Sequence, residues 1–187
     1  MINMNQKEIK RLGAISGIIA PIIFVIFTAI SISTYPNYDP FTTYLSDLGM
    51  GSTAILFNIG VVVAGILGLV FCAAIFQLKN KFAEFGTVVL MFANVSLIHI
   101  GIFSEYFRGT HFVVSITFFV FATLAILIIG TGLTFKKIKL GYLSLILGFI
   151  VVVVTSIFGV QQITEHIAVS IVIIWTLITS FYLTKFS

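Results

Sequence analysis

The run TAILFNIGVVVAGILGLVFCAAIFQ, residues 53–77, decides the fold. It holds no charged residue, and a helix needs about 20 mostly apolar residues to cross the hydrocarbon core of a membrane. A strand of a membrane barrel would alternate apolar and polar residues, whereas this run is continuously apolar. Only a helix satisfies the backbone polar groups of such a run within lipid. Residues 53–77 are therefore predicted to form a transmembrane helix.

Five further runs of the same kind accompany it, at residues 12–33, 87–103, 112–133, 140–160 and 167–183. The first is longer than the 7 to 15 apolar residues of a signal-peptide core, so we expect it to be retained. With 59% hydrophobic and 9% charged residues, the chain has too few polar side chains to cover a water-soluble surface. The sequence predicts an all-α bundle of six transmembrane helices, forming one integral membrane domain over residues 1–187.

The basic residues indicate how this bundle is oriented. Of the ten Lys and Arg residues, only Arg108 falls in an odd-numbered connection; the others flank the two ends of the chain or lie in the second and fourth connections. Because Lys and Arg are retained on the cytoplasmic side, both termini are predicted to be cytoplasmic and the first, third and fifth connections to face outside the cytoplasmic membrane. Scattered among short connections, these basic residues do not indicate a nucleic-acid partner.

The first outer connection, residues 34–52, is the longest and most polar, and it carries its own helix signals. Asp39 is a candidate cap, Pro40 suits the first helical position and Gly49 the end. Phe41, Tyr44, Leu45 and Leu48 then share one apolar face, so a short helix is predicted to lie at the membrane boundary with that face down. Ser46 and Asp47 would face a cleft or water, with Asp47 near the unfavourable C-terminal end of the helix.

The other two outer connections carry the histidines. His99 and Ser96 share a face near the outer end of the third span, and a histidine inside a membrane helix normally turns toward a polar partner. Glu105 is close enough in sequence to pair with Arg108, and His111 opens the fourth span. If the sixth helix begins near residue 161, Gln162, Glu165 and His166 share a face, and Glu165 favours the positive helix end.

These residues form one candidate layer at the outer end of the bundle, comprising Ser46, Asp47, His99, Glu105, His111, Glu165 and His166. Two chemistries are open. Zinc held by His111, His166 and Asp47 would activate a water molecule at an open fourth position. Alternatively, a histidine paired with Glu105, Glu165 or Asp47 would act as a general base toward water or Ser46. No HxxxH or HExxH element is present, so a metal site would have to be assembled from separate connections.

The order of features resembles a family of small membrane proteins, found mainly in archaea and some bacteria and grouped as domain of unknown function 998. The likeness covers essentially the whole chain. It is carried by Tyr38-Asp39-Pro40, Leu45-Ser46-Asp47-Leu48-Gly49, Leu56-Phe57-Asn58, Gly60, Gly65, Gly101-Ile102-Phe103-Ser104-Glu105, His111, Glu165 and Trp175. Family members often have proline where this chain has Ser104. The resemblance implies a six-helix membrane protein and transfers no reaction.

A weaker analogy connects the Ser, Asp and His set to zinc-dependent intramembrane hydrolases of the alkaline ceramidase and adiponectin-receptor type, which have seven spans and an HxxxH element. The preferred hypothesis is an intramembrane hydrolase or transferase of a lipid or lipid-linked substrate. Its alternatives are a non-enzymatic protein that binds or transports an ion or small ligand, and a structural membrane subunit. The lone Trp175 is interpreted as a packing or membrane-interface residue, and the single Cys72 as a packing residue.

Overall fold

The computed structural model describes residues 5–185, and over that range the chain is helical with no strand. Six long helices follow one another: α1 (Gln6–Thr34), α2 (Ala54–Phe76), α3 (Lys81–Ile102), α4 (Arg108–Phe135), α5 (Lys139–Phe158) and α6 (Gln162–Lys185). Each belongs to a segment that is long and apolar enough to cross a membrane. The predicted all-α, six-span architecture is therefore confirmed.

The helices extend beyond the apolar runs where polar residues can cap them. The side chain of Asn5 accepts the Glu8 N–H while Glu8 accepts the Asn5 N–H, each at 2.9 Å, which starts α1 well before residue 12. Asn80 accepts the Ala83 N–H at 3.0 Å and starts α3 at Lys81, six residues ahead of the predicted boundary. Apolar runs therefore locate the spans, while capping residues set their ends.

Small residues allow the helices to pack closely. A Cβ on Gly65 would lie 3.0 Å from the Asn94 carbonyl oxygen on α3. Trp175 is 1% exposed; its indole N–H donates to Ser144 Oγ at 2.9 Å and its ring packs edge-on against Phe71. Cys72 is also buried. These residues pack in the interior of the bundle, as their sequence interpretation predicted.

Consecutive helices pack side by side from α1 to α5, and α6 returns to lie against α1 and α5. α4 and α6 touch only sparsely, which leaves space between them. The alternation of six spans brings residues 35–53, 103–107 and 159–161 to one end of the bundle, which we call the polar end. Which side of the membrane the polar end faces stays a prediction.

The first connection contains a short helix, but its form differs from the prediction. Residues 40–43 form a turn in which Asp39 accepts the Phe41 N–H through its side chain and the Thr43 N–H through its carbonyl, at 2.9 and 2.8 Å. Only Leu45–Gly49 is helical, as a tight 3₁₀ helix. The single apolar face is broken, because Phe41 is 71% exposed whereas Leu48 is fully buried. Ser46, predicted to face a cleft or water, is 8% exposed and lines a cavity.

Candidate functional site

An elongated cavity of about 700 Å³ lies between α4, α5 and α6. Its walls are mainly apolar and include Ile116, Phe119, Leu127 and Val151. From His111 to Leu127 it follows α4 over about 24 Å, at 1.5 Å per residue. Its volume is within the range of small-molecule sites. Such a shape fits a long apolar chain.

Polar residues are concentrated where this cavity meets the polar end of the bundle. They are contributed by the first, third and fifth connections and by the first turns of α4 and α6: Tyr44, Ser46, Glu105, Arg108, His111, Gln161, Thr164 and Glu165. Of the seven residues predicted to form one layer, four line the cavity, namely Ser46, Glu105, His111 and Glu165. These four residues, which include a hydroxyl group, two carboxyl groups and an imidazole, had been selected from the sequence.

Ser46, Glu105 and His111 are joined through a single oxygen. The Ser46 hydroxyl donates to Glu105 Oε1 at 3.2 Å, and His111 Nε2 lies 3.2 Å from the same atom. A short 3₁₀ turn, Glu105–Phe107, carries the carboxylate just ahead of α4. Glu105 therefore stands between the hydroxyl and the imidazole, so the group positioned to take the serine proton is the carboxylate.

The second nitrogen of His111 fixes where a proton must lie. Nδ1 is 2.7 Å from the Phe103 carbonyl oxygen, which can only accept, so Nδ1 carries a hydrogen. The contact between Nε2 and Glu105 then requires one further proton, held either by the imidazole or by the carboxyl group. The pair consequently contains one shared proton inside a mostly buried site.

Glu165 attaches the first connection to α6. Its Oε2 accepts the Leu45 N–H at 2.7 Å, and its carboxyl group also interacts with the side chain and backbone of Ser46. Tyr44 on the same connection donates to the Val160 carbonyl at 3.4 Å. Ser46 is thus held between two carboxyl groups that come from different parts of the chain.

His166, predicted to belong to the same site, does not line the cavity. Its Nδ1 donates to the Gln162 carbonyl at 2.7 Å, so Nε2 is the acceptor for the Tyr38 hydroxyl at 2.5 Å. Burial, assisted by the negative charges of Glu165 and Asp47, raises the pKa of Tyr38 to about 12. The phenol therefore remains protonated and links the first connection to α6.

Asp47 and His99 bind their own backbone surroundings. Asp47 Oδ2 accepts the Tyr44 N–H at 2.8 Å, so its side chain stabilises the start of the 3₁₀ helix, and in this five-residue helix Asp47 is also two residues from the end. His99 Nδ1 donates to the Val95 carbonyl at 2.7 Å and its ring stacks on Phe103. Neither residue lines the cavity.

The expected ion pair between Glu105 and Arg108 is also absent. Within residues 5–185, Glu105 pairs with His111, and no carboxylate lies within ion-pairing distance of Arg108. The Arg108 side chain is exposed and lines the cavity at the polar end. Among residues 5–185, this cationic group therefore has no carboxylate partner.

The three side chains predicted to bind zinc do not converge. Among the residues that the structure describes, no three His, Cys, Asp or Glu side chains are grouped so that they could hold one metal ion. His111, His166 and Asp47 each have the separate hydrogen bonds given above. The zinc hypothesis stays a prediction to which this arrangement adds no support.

Comparison with known proteins gives a family. The sequence profile of a family described as a protein of unknown function, DUF998, matches residues 18–182. The chain belongs to the DUF998 family. No curated protein and no solved structure gives a significant match. In this DUF998 protein, Tyr38, Ser46, Glu105 and Glu165, which carried the family likeness, form hydrogen bonds that join the first connection to α6 and to the third connection.

Three residues of this site were not identified as functional from sequence. Tyr38 was noted only as part of the family likeness, and its long-range bond to His166 has no local signal. Arg108 was assigned to Glu105 because the two are three residues apart. Thr164 has no sequence feature that distinguishes it from other helical threonines.

Proposed function

We propose that this protein is an intramembrane hydrolase or transferase acting on a lipid or lipid-linked molecule, with its polar end at the outer face of the cytoplasmic membrane. The proposal rests on one observation: a long apolar cavity is lined at one end by Ser46, Glu105, His111 and Glu165. A lipid bound there would place its apolar chain between α4 and α6 and its head among groups able to move protons.

The chemistry follows from the hydrogen bonds. When the shared proton is on His111, Glu105 is ionised and accepts the proton of Ser46 as Oγ forms a bond to the carbonyl carbon of an ester. The bond to the leaving alkoxide breaks, and Glu105 returns the proton to it. Water or an acceptor alcohol then displaces Ser46 by the same steps in reverse, which gives hydrolysis or transfer.

Two features favour this function over its alternatives. Ion and proton pathways usually place ionisable groups near the middle of the membrane, whereas the carboxyl groups of this cavity lie at one end. Within residues 5–185, Arg108 has no ion-pair partner, and of the five buried hydroxyl groups that lack a hydrogen-bond partner, Thr164 is the one that lines the cavity. Polar groups without partners beside a cavity favour a ligand.

The proposal is tested in lipid nanodiscs containing a total lipid extract. Wild-type protein is expected to generate a hydrolysis or transfer product that mass spectrometry detects, and Glu105→Gln is expected to abolish it. Equal product profiles for wild type, Glu105→Gln and empty nanodiscs would refute the enzymatic function.

A further inference from the structure

We infer that Arg108 and Thr164 form a subsite for a phosphate group on the head of the lipid substrate. This inference rests on the proposed function and deepens it by naming the substrate class: a single-chain amphiphile that carries a phosphate. Its apolar chain would lie along the cavity, its ester beside Ser46 and its phosphate at the polar end of the cavity.

Arg108 supplies the charge. It is the first residue of α4, exposed, and lines the cavity. Glu105, three residues earlier, binds Ser46 and His111, so it does not form an ion pair with the Arg108 guanidinium group. Arginine is well suited to phosphate because its planar donors match two phosphate oxygens at once.

Thr164 supplies a second donor and an independent observation. It is 4% exposed and lines the cavity, yet its Oγ1 has no hydrogen-bond partner in the part of the chain that the structure describes. Helical threonines usually donate to the carbonyl four residues earlier, but for Thr164 that residue, Val160, precedes α6 and accepts from Tyr44 instead. An unpaired buried hydroxyl is costly, so a ligand oxygen that accepted its proton would be stabilised.

The backbone favours the same charge. α4 begins at Arg108 and α6 at Gln162, so both helices have their N-terminal ends at the polar end of the bundle. Helix N-termini carry partial positive charge and unsatisfied N–H groups, which favour phosphate. Arg108 and Thr164 lie in the first turns of these two helices.

The carboxyl groups of Glu105 and Glu165 affect where in the cavity a phosphate group can bind. Glu105 is compensated by His111, since the pair shares a proton. Glu165 accepts the Leu45 N–H and has no cationic partner among the described residues, so its ionised form would repel a phosphate placed beside Ser46. The phosphate is therefore expected on the Arg108 side. At a pH where Glu165 is ionised, Glu165→Gln, which keeps an acceptor for Leu45, should strengthen its binding.

The test measures displacement of a fluorescent single-chain probe from the protein in zwitterionic nanodiscs. Competitors with one chain length are dodecyl phosphate, dodecanol and dodecyltrimethylammonium, with inorganic phosphate as a fourth. Dodecyl phosphate is expected to bind about tenfold or more tightly than the other two amphiphiles, because one charge-assisted hydrogen bond supplies at least that factor. Arg108→Gln should remove most of this preference and Thr164→Val part of it, whereas Arg11→Gln at the opposite end should leave it unchanged.

The outcomes separate this inference from the proposed function. Thr123→Phe, which fills the cavity, should weaken all three amphiphiles, and Val113→Phe, on an exposed position outside the cavity lining, should not. If Thr123→Phe binds every amphiphile normally, the proposed function fails. If it blocks binding but Arg108→Gln retains the phosphate preference, or if the cationic amphiphile binds best, the phosphate subsite is refuted. Competition by inorganic phosphate as strong as that of dodecyl phosphate would assign the site to free phosphate and overturn the lipid-head assignment.

Discussion

Nε2 of His111 lies 3.2 Å from Oε1 of Glu105, the oxygen that also receives the Ser46 hydroxyl. This relationship joins α4 to the third connection and, through Ser46, to the first. It places a carboxylate between a hydroxyl and an imidazole. In this order the carboxylate is the direct base toward serine, and the imidazole compensates its charge.

Glu105→Gln is the most informative change to this arrangement. It keeps the size of the side chain but removes the base, so turnover should fall at least about a hundredfold, as is typical when a general base is lost. Product formation in nanodiscs measures turnover, and displacement of the single-chain probe measures binding, which should persist. Glu84→Gln, in the first turn of α3 at the other end of the bundle, is the matched control. Equal loss in both variants would contradict the role of Glu105.

Ser46 is expected to react covalently. A fluorophosphonate carrying a long alkyl chain should bond to Ser46 Oγ, because Ser46 lines the cavity and its hydroxyl donates to Glu105. Peptide mass spectrometry locates the adduct, and Ser46→Ala should remove it while Ser52→Ala should not. An unlabelled Ser46 in a protein that still turns lipid over would show that water is the nucleophile.

Tyr38 gives a pH-dependent prediction. Its pKa is raised by burial from 10.0 to about 12, so the folded state holds the phenolic proton more tightly than the unfolded chain. The stability this confers is complete below pH 10 and is lost as pH rises toward 12. Thermal unfolding of wild type and Tyr38→Phe in detergent measures it: the advantage of wild type should be constant at lower pH and shrink within that window. A constant difference up to pH 12 would contradict the assignment.

Helix packing is tested by a pair of glycines. A Cβ on Gly141 would lie 2.5 Å from the Thr134 backbone nitrogen and 2.7 Å from the Gly130 carbonyl oxygen, and backbone cannot move aside as a side chain can. Gly141→Ala should therefore destabilise the protein by roughly 1–3 kcal/mol. Gly109 has nothing within 4 Å of such a Cβ, so Gly109→Ala serves as control. Thermal unfolding of the two variants is the measurement, and equal midpoints would contradict the close α4–α5 packing.

The six helices were predictable because lipid leaves long apolar segments one way to satisfy their backbone. The ends of the helices were not predictable from hydrophobicity. The side chain of Asn80, for example, caps α3, so the helix begins at Lys81, before the apolar run. The short helix of the first connection was located by its turn residues, but Asp39 stabilises a turn through its own side chain, and helical geometry starts only at Leu45.

The sequence was sufficient to predict that the candidate residues lie at the same end of the bundle, but not which of them form hydrogen bonds with one another. Alternating spans bring Ser46, Glu105, His111 and Glu165 to one end whatever the details of packing. Their pairings depend on the turn Glu105–Phe107, which directs the carboxylate toward His111 instead of Arg108. Likewise, the bond between Tyr38 and His166 joins residues 128 positions apart, which no local pattern encodes.

Photolabelling tests the central claim, that an apolar chain binds inside the cavity, most directly. The probe is a single-chain amphiphile with a diazirine at the end of its chain, and peptide mass spectrometry maps the labelled residues. We expect labels at Leu127, which lines the cavity far from the polar end, and at Val151, which lines it on α5, and we expect both labels to be lost in Thr123→Phe but not in Val113→Phe. Labels spread over the outer face of α5, at Ile146, Phe149 and Val153, and unchanged by Thr123→Phe would contradict it.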